Sequence, residues 1–190
     1  MPNLVLATAS PRRIELLDQL GFEFSVMPQN IDESLRLSES ANIYVKRMSK
    51  TKASGDFASD SVVLAADTIV VAGQEIMGKP RDFDDARRML RRLSASTHSV
   101  LTSVTIREAD AQEHCLVSTE VSFCALTDAD INWYWATGEP ADKAGSYGIQ
   151  GLGGVFVDRI HGSYSNVVGL PLCETVQLLK KFGIKLPGKD

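Results

Sequence analysis

Apolar runs bounded by turn residues alternate along this chain with segments whose apolar positions recur every three or four residues, so strands and helices are interleaved. The most informative run is VVLAADTIVV, residues 62–71: eight of its ten residues are apolar, many of them β-branched. That is the composition of a strand buried on both faces of a sheet. Asp67 and Thr68 interrupt it. An ionised carboxylate there is costly without partners, so two readings compete. Either Asp67 is a structural cap on a neighbouring loop, or it binds a metal or moves a proton.

The remaining elements follow from the same patterns. Residues 4–7 form a short apolar run, followed by Thr8, Ala9, Ser10, Pro11, Arg12 and Arg13 and then by Ile14, Leu17 and Leu20 at helical spacing. This predicts strand, tight loop and helix, with Ser10 at the N-cap, Pro11 at the first helical position and Gly21 just past the end. Phe22, Phe24 and Val26 alternate, predicting a second strand that leads to a turn at Pro28-Gln29-Asn30 and to the acidic Asp32-Glu33. A helix beginning near Ser38 or Ser40 carries a stripe of Ala41, Val45 and Met48 that continues to Lys52, whereas Lys46, Arg47 and Lys50 fall on a solvated face.

Gly73 marks a turn and Gly78-Lys79-Pro80 a second break. Asp82, Asp84 and Asp85 then open a helix with Ala86, Met89, Leu90 and Leu93 on its core face and Arg87, Arg88, Arg91 and Arg92 opposite. Residues 100–106 and 115–126 are β-rich runs joined by the polar loop 108–112, hence an antiparallel pair. Thr127 caps a helix carrying Ile131, Trp133, Tyr134 and Trp135 and closed by Gly138, with aromatics suited to a core or a subunit interface. A strand at 155–160, a turn at His161-Gly162 and a polar segment at 163–166 precede the last helix. That helix starts at Pro171, turns Val176, Leu178 and Leu179 inward and ends at Gly183.

Composition narrows the function classes. The 190 residues, 44% hydrophobic and 23% charged, suit a soluble globular protein with one substantial core or a main domain and a small lobe. A net charge of -4 leaves no electrostatic footprint for nucleic acid or membrane, so an anionic ligand needs a local positive cluster. The arginine face at 87–92 resembles a nucleic-acid patch, but acids in the first turn and bases in the last also suit a solvated helix. Cys115, Cys124 and Cys173 show no metal or disulfide spacing, and the N-terminus reads as the reverse of a secretory signal, which predicts a cytoplasmic protein.

Candidate chemistry sits where the sequence breaks local rules. Arg12 and Arg13 occupy the first turn of a helix, where the dipole disfavours cations. Either they swing into solvent, or with Thr8 and Ser10 they surround an anion; the phosphate site is the reading taken, although no Walker A sequence is present. Lys52 either snorkels outward or meets a phosphate, and Lys79 is either an ordinary loop lysine or a partner a short hairpin away from Asp67. Residues 145–154 hold five glycines, a composition that gives up regular structure for close backbone approach. Tyr147, Ile149 and Leu152 are interleaved with them, so this is read as a ligand-lining loop. Gln150 within it offers the donor and acceptor needed to read a pyrimidine edge.

The segments LATASPRRIELLDQLG, VKRMSKTKA, AADTIVV followed by GKP, STH, DKAGSYGIQGLGG and GSYSNVVGLPLCET resemble, in order, the motifs of Maf-like nucleoside triphosphate pyrophosphatases, from residue 4 to about residue 180. YGIQG is similar to the branch acting on dTTP and UTP, with CTP or modified pyrimidine nucleotides as further candidates. The resemblance implies an α/β fold with a long mixed β-sheet flanked by helices, two lobes with a central cleft as in inosine-triphosphatase-like proteins, and a homodimer. It implies hydrolysis between the α and β phosphates with a divalent cation, Mg2+ or Mn2+. It makes Asp67 the proton acceptor and gives substrate choice to Arg12, Thr68 and Gln150. Ser10, Arg13, Glu33, Lys52 and Lys79 fall at positions around phosphate or metal, and Thr8 stands where many members carry Ser. Asp67 and Glu33 are the candidate metal carboxylates; Asp67 as base, ligand or both stays open. A nucleotide-binding regulator of cell division is the alternative function, and a nucleic-acid-binding module a third.

Overall fold

The computed structural model describes residues 3–188. Strands β1 (Asn3–Leu6), β2 (Ser25–Val26), β3 (Ser61–Ala72), β4 (Glu75–Met77), β5 (Thr97–Glu108), β6 (Ala111–Phe123) and β7 (Val157–His161) are interleaved with helices. These are α1 (Pro11–Asp18), α2 (Ala41–Ala53), α3 (Phe83–Leu93), α4 (Asp128–Ala136), α5 (Tyr164–Val168) and α6 (Leu172–Lys181). Among the described residues the strands form one sheet in the order β2-β1-β3-β5-β6-β7, with β4 paired to β3. The sheet is mixed: β1 is parallel to both neighbours, whereas β4 and β7 run antiparallel to β3 and β6. The class is therefore α/β, with a mixed sheet flanked by helices. Among the described residues no helix is long and apolar enough to cross a membrane.

The chain divides into two compact units. One takes in the residues up to Asp67, Thr102–Val117 and those from Gly169 onward; the other takes Thr68–Leu101 and Ser118–Val168. In the first unit β1, α1 and β2 form a parallel crossover, which needs a helix between its strands. Pro11 opens α1 and Ser10 has the extended backbone of an N-cap, but the Ser10 side chain makes no capping bond. Leu16 and Leu17, more than Ile14 and Leu20, carry its buried face. The alternation Phe22, Phe24, Val26 predicts a longer second strand than is found. Only Ser25 and Val26 pair, opposite Val5 and Leu6, because β1 is itself four residues long.

Val45, Met48, Ser49 and Ala53 form the buried face of α2. Val5, Ala7, Ala53, Val63 and Ala65 make a core of small side chains with Phe57 against it. Ser49, fully buried, bonds to Ser103 at 2.8 Å and Thr105 at 2.9 Å, so polar groups taken into this interior are satisfied. The expectation of a solvated Lys46, Arg47 and Lys50 is only partly met: all three are half-buried.

In the second unit the core face of α3 is as predicted, with Ala86, Met89, Leu90 and Leu93 buried. The Asp82 carboxylate caps this helix by accepting the Asp85 N–H at 2.8 Å. Its arginines meet acids: Arg88 pairs with Asp85 and Glu75, and Arg87 and Arg91 both reach Asp128. The turn between β5 and β6 is tighter than expected, at Ala109 and Asp110, and Phe123 ends β6 rather than residue 126.

Ile131 and Tyr134 of α4 are buried, but Trp133 is 47% exposed. The strand expected at 155–160 starts at Val157, after a 3-10 turn over Leu152–Phe156. The polar segment 163–166 belongs in part to helix α5. No apolar stripe announces that helix; tertiary bonds from the Asn166 amide to the Val100 carbonyl and Thr119 Oγ1, both 3.0 Å, hold it.

Candidate functional site

In the first unit Asp67 is the last residue of its stretch of β3 and is only 8% exposed. The Lys52 stripe position predicted from α2 brings Nζ to 2.7 Å from Asp67 Oδ1 and 2.8 Å from Glu33 Oε1. Lys52 therefore does not snorkel outward; its ammonium bridges a buried carboxylate and a half-exposed one. Burial raises the Asp67 pKa above the ordinary carboxylate value. Lys52 and Arg13 pull it back without cancelling that rise, and Glu33 adds to it. The result is a carboxylate with more affinity for a proton than a surface aspartate has.

Arg13 lies in the same electrostatic neighbourhood. Burial pulls its pKa below the ordinary guanidinium value against the attraction of Asp67, and the like charge of Arg12 adds to the fall. Part of the Arg13 fork is used internally: Nε donates to the Gly169 carbonyl at 2.8 Å and Nη1 approaches Thr8 Oγ1 at 3.4 Å. The Thr8 hydroxyl, 5% exposed, also accepts the Ser10 N–H at 3.1 Å. Thr8 thus orders the loop before α1, and Arg13 ties α1 to the start of the last segment. Simple solvation does not describe Arg13 in this arrangement.

A clamp absent from the sequence reading holds Glu33. Arg47 makes two bonds of 2.6 Å to the Glu39 carboxylate and one of 2.9 Å to the Ser34 carbonyl, while the Tyr44 hydroxyl donates to the Glu33 carbonyl at 2.8 Å. The Arg47 bonds draw the Glu39 pKa down to about 2. Only the proximity of Glu39 to the start of α2 hinted at this.

Asp67 and Glu33 direct carboxylate oxygens onto one cationic centre, the Lys52 ammonium. Two hard oxygen donors around a point of high positive charge are what a magnesium-type ion takes from protein, with substrate oxygens and waters for the rest. Among the described residues no group of three or more His, Cys, Asp or Glu side chains gathers. These two residues fit such an ion.

The second unit holds Thr68, Lys79 and Gln150. Thr68 is half-buried, and Lys79 and Gln150 are exposed. The loop carrying Gln150 is a series of 3-10 turns over Glu139–Asp142, Ala144–Ser146 and Leu152–Phe156. Its glycines serve the protein's own packing more than the sequence suggests. Gly145, at φ +68°, would place a Cβ 2.9 Å from Val70, and a Cβ on Gly153 would lie 2.4 Å from the Tyr134 hydroxyl. The Gly145 N–H donates to the Gly78 carbonyl at 3.0 Å, tying the loop to the residue before Lys79. Tyr147 is buried against His98, whose Nε2 lies 2.9 Å from its hydroxyl; burial lowers the His98 pKa to about 4, so the ring is neutral near pH 7.

Comparisons with known proteins converge. The chain matches the family described as Maf-like protein over residues 3–182. A Hahella chejuensis protein named dTTP/UTP pyrophosphatase is 56% identical over 189 residues, 97% of this chain and 94% of its own. A Vibrio cholerae protein of the same name is 53% identical, covering 95% of this chain and 98% of its own. A HAM1 protein from Coxiella burnetii overlays at a TM-score of 0.41 and 17% identity, over 65% of this chain and 73% of its own, too distant a likeness to argue from.

Proposed function

The chain belongs to the Maf family, and from that premise we propose that it hydrolyses dTTP and UTP to the nucleoside monophosphate and pyrophosphate. The observation that carries this reading is the buried Asp67 carboxylate, raised in proton affinity and held against Lys52. A general base works best when its pKa approaches the operating pH, and burial moves Asp67 in that direction. In the proposed step Asp67 takes a proton from water as the water oxygen bonds to the α phosphorus. The bond from that phosphorus to the bridging oxygen breaks, and pyrophosphate leaves with the electron pair.

Lys52 keeps Asp67 oriented and shares its charge with Glu33. Arg12, Arg13, Ser10 and Lys79 neutralise or bind phosphate oxygens, while Thr68 and Gln150 choose the base. Asp67 and Glu33 would hold a divalent cation, which when bound supplies charge neutralisation at the phosphates. The relatives' names describe a pyrophosphatase, so hydrolysis is preferred over nucleotide sensing.

Incubating the protein with magnesium and a panel of nucleoside triphosphates, then separating the products, tests the proposal. Monophosphate and pyrophosphate from dTTP and UTP are expected. Release of orthophosphate would overturn the reaction, and a preference for purine triphosphates would overturn the substrate assignment.

A further inference from the structure

The glycine-rich loop closes around a feature that the proposed chemistry does not use. Glu139, just before Pro140, accepts three hydrogen bonds: from the Tyr134 hydroxyl at 2.7 Å, the Leu152 N–H at 2.8 Å and the Gly153 N–H at 3.1 Å. The Tyr134 oxygen in turn accepts the Gly148 N–H at 3.0 Å. Gln150 is therefore bracketed, with one anchor two residues before it and another two and three residues after it.

The missing side chains of the loop make this closure possible. A Cβ on Gly151 would fall 2.3 Å from a Glu139 oxygen, and one on Gly148 would fall 2.6 Å from the Lys143 side chain and 3.2 Å from Glu139. Lys143 donates to the Glu139 carbonyl at 2.9 Å and fixes the backbone of the acid itself. Burial alone would raise the Glu139 pKa, but the Gly153, Tyr134 and Leu152 donors outweigh it, so the carboxylate stays ionised. At the centre of this arrangement Gln150 is exposed. A carboxamide discriminates between bases only if its donor and acceptor are held in place before the base arrives.

We propose that Glu139, supported by Tyr134, is a positioning residue for base selection: its carboxylate holds the backbone after Gln150 directly and the backbone before it through the Tyr134 hydroxyl, and so sets where that carboxamide stands. The proposal rests on the dTTP and UTP reading above and names a determinant of its specificity.

Two arms test it. In the first, amide hydrogen exchange at Gly148, Leu152 and Gly153 is compared in wild type and Glu139→Gln, whose NH2 group cannot accept a backbone N–H. Exchange about tenfold faster or more is expected at whichever of Leu152 and Gly153 faces the NH2 group, with Tyr134→Phe giving the same at Gly148 and serving as a second variant if Glu139→Gln folds poorly. Unchanged exchange overturns the proposal.

In the second, the ratio of kcat/KM for dTTP over dGTP is measured in wild type, Glu139→Gln, Gln150→Ala and the double variant. Glu139→Gln should lower the ratio about tenfold, mostly through KM for dTTP, and should change it less than about twofold once Gln150 is Ala. Additive effects, or an equal loss on both nucleotides, would reduce Glu139 to a structural residue and overturn the proposal. If the wild type releases no pyrophosphate from any triphosphate, the proposed function fails. The same cycle is then read as a ratio of binding affinities by calorimetry, with the same deciding outcomes.

Discussion

Replacing Asp67 by Asn should make this protein more stable at neutral pH while disabling it. The carboxylate is 8% exposed, and burial raises its pKa despite Lys52 at 2.7 Å and the charge of Arg13. A raised carboxylate pKa means that the folded chain binds the proton more tightly than the unfolded chain. Folding stability from this group is therefore present in acid and is lost as pH rises from the ordinary value of 3.8 through the raised one. Asn keeps the volume and still offers Lys52 an acceptor, and Lys52 retains Glu33 at 2.8 Å.

The substitution exchanges a hydrogen bond between two charged groups for one in which only the Lys52 ammonium is charged, a loss of about 1 kcal/mol. It also removes the desolvation of a buried charge, an effective penalty of several kcal/mol. A net gain of about 1–3 kcal/mol follows, and about 2–4 °C in Tm per kcal/mol for a chain of this size. Thermal unfolding of both proteins from about pH 4 to pH 8 should show the curves together in acid and diverging upward, with the variant on top. A variant less stable at pH 7, or a gap independent of pH, would refute the reasoning.

Lys52→Met should leave Asp67 and Glu33 without their shared cation. A loss of about 3–5 kcal/mol in urea unfolding is expected, with the acid limb of the pH-rate profile displaced upward. Gly145→Ala should destabilise by more than about 1 kcal/mol, because φ is +68° and the new Cβ meets Val70 at 2.9 Å; a residual loss in a Val70→Ala background, read by Tm, separates backbone strain from the clash. Arg47→Met should lower stability near neutral pH. The Glu39 carboxylate, held at about 2 against an ordinary 4.5, contributes above its unfolded value. The difference from wild type should therefore shrink as pH falls from 4.5 to about 2 in an acid-unfolding series.

Much of this is legible in the sequence, for identifiable physical reasons. The apolar density of residues 62–71 required a buried strand, and the α2 spacing carried Lys52 inward to the very acid that strand made conspicuous. The amphipathic period of α3 locates its buried apolar residues, though not the burial of Asp85. Short elements were less legible. Helix α5 exists because Asn166 finds the Val100 carbonyl and Thr119, and no local pattern encodes bonds to residues so distant in the chain. The glycine-rich run announced close backbone approach but not its object, since nothing in GEP marks Glu139 as the acid around which the backbone folds. The Arg47 clamp on Glu39 was hidden for the same reason, as a helix face that looks solvated from sequence acquires partners only when the preceding loop returns to it.

Comparing turnover and nucleotide binding in Asp67→Asn tests whether Asp67 accepts the proton during pyrophosphate release. Turnover of dTTP reduced by about 10²–10⁴-fold, with affinity for the nucleotide within a few-fold of wild type, is the predicted result. An Asn variant that still releases pyrophosphate at close to the wild-type rate would contradict it.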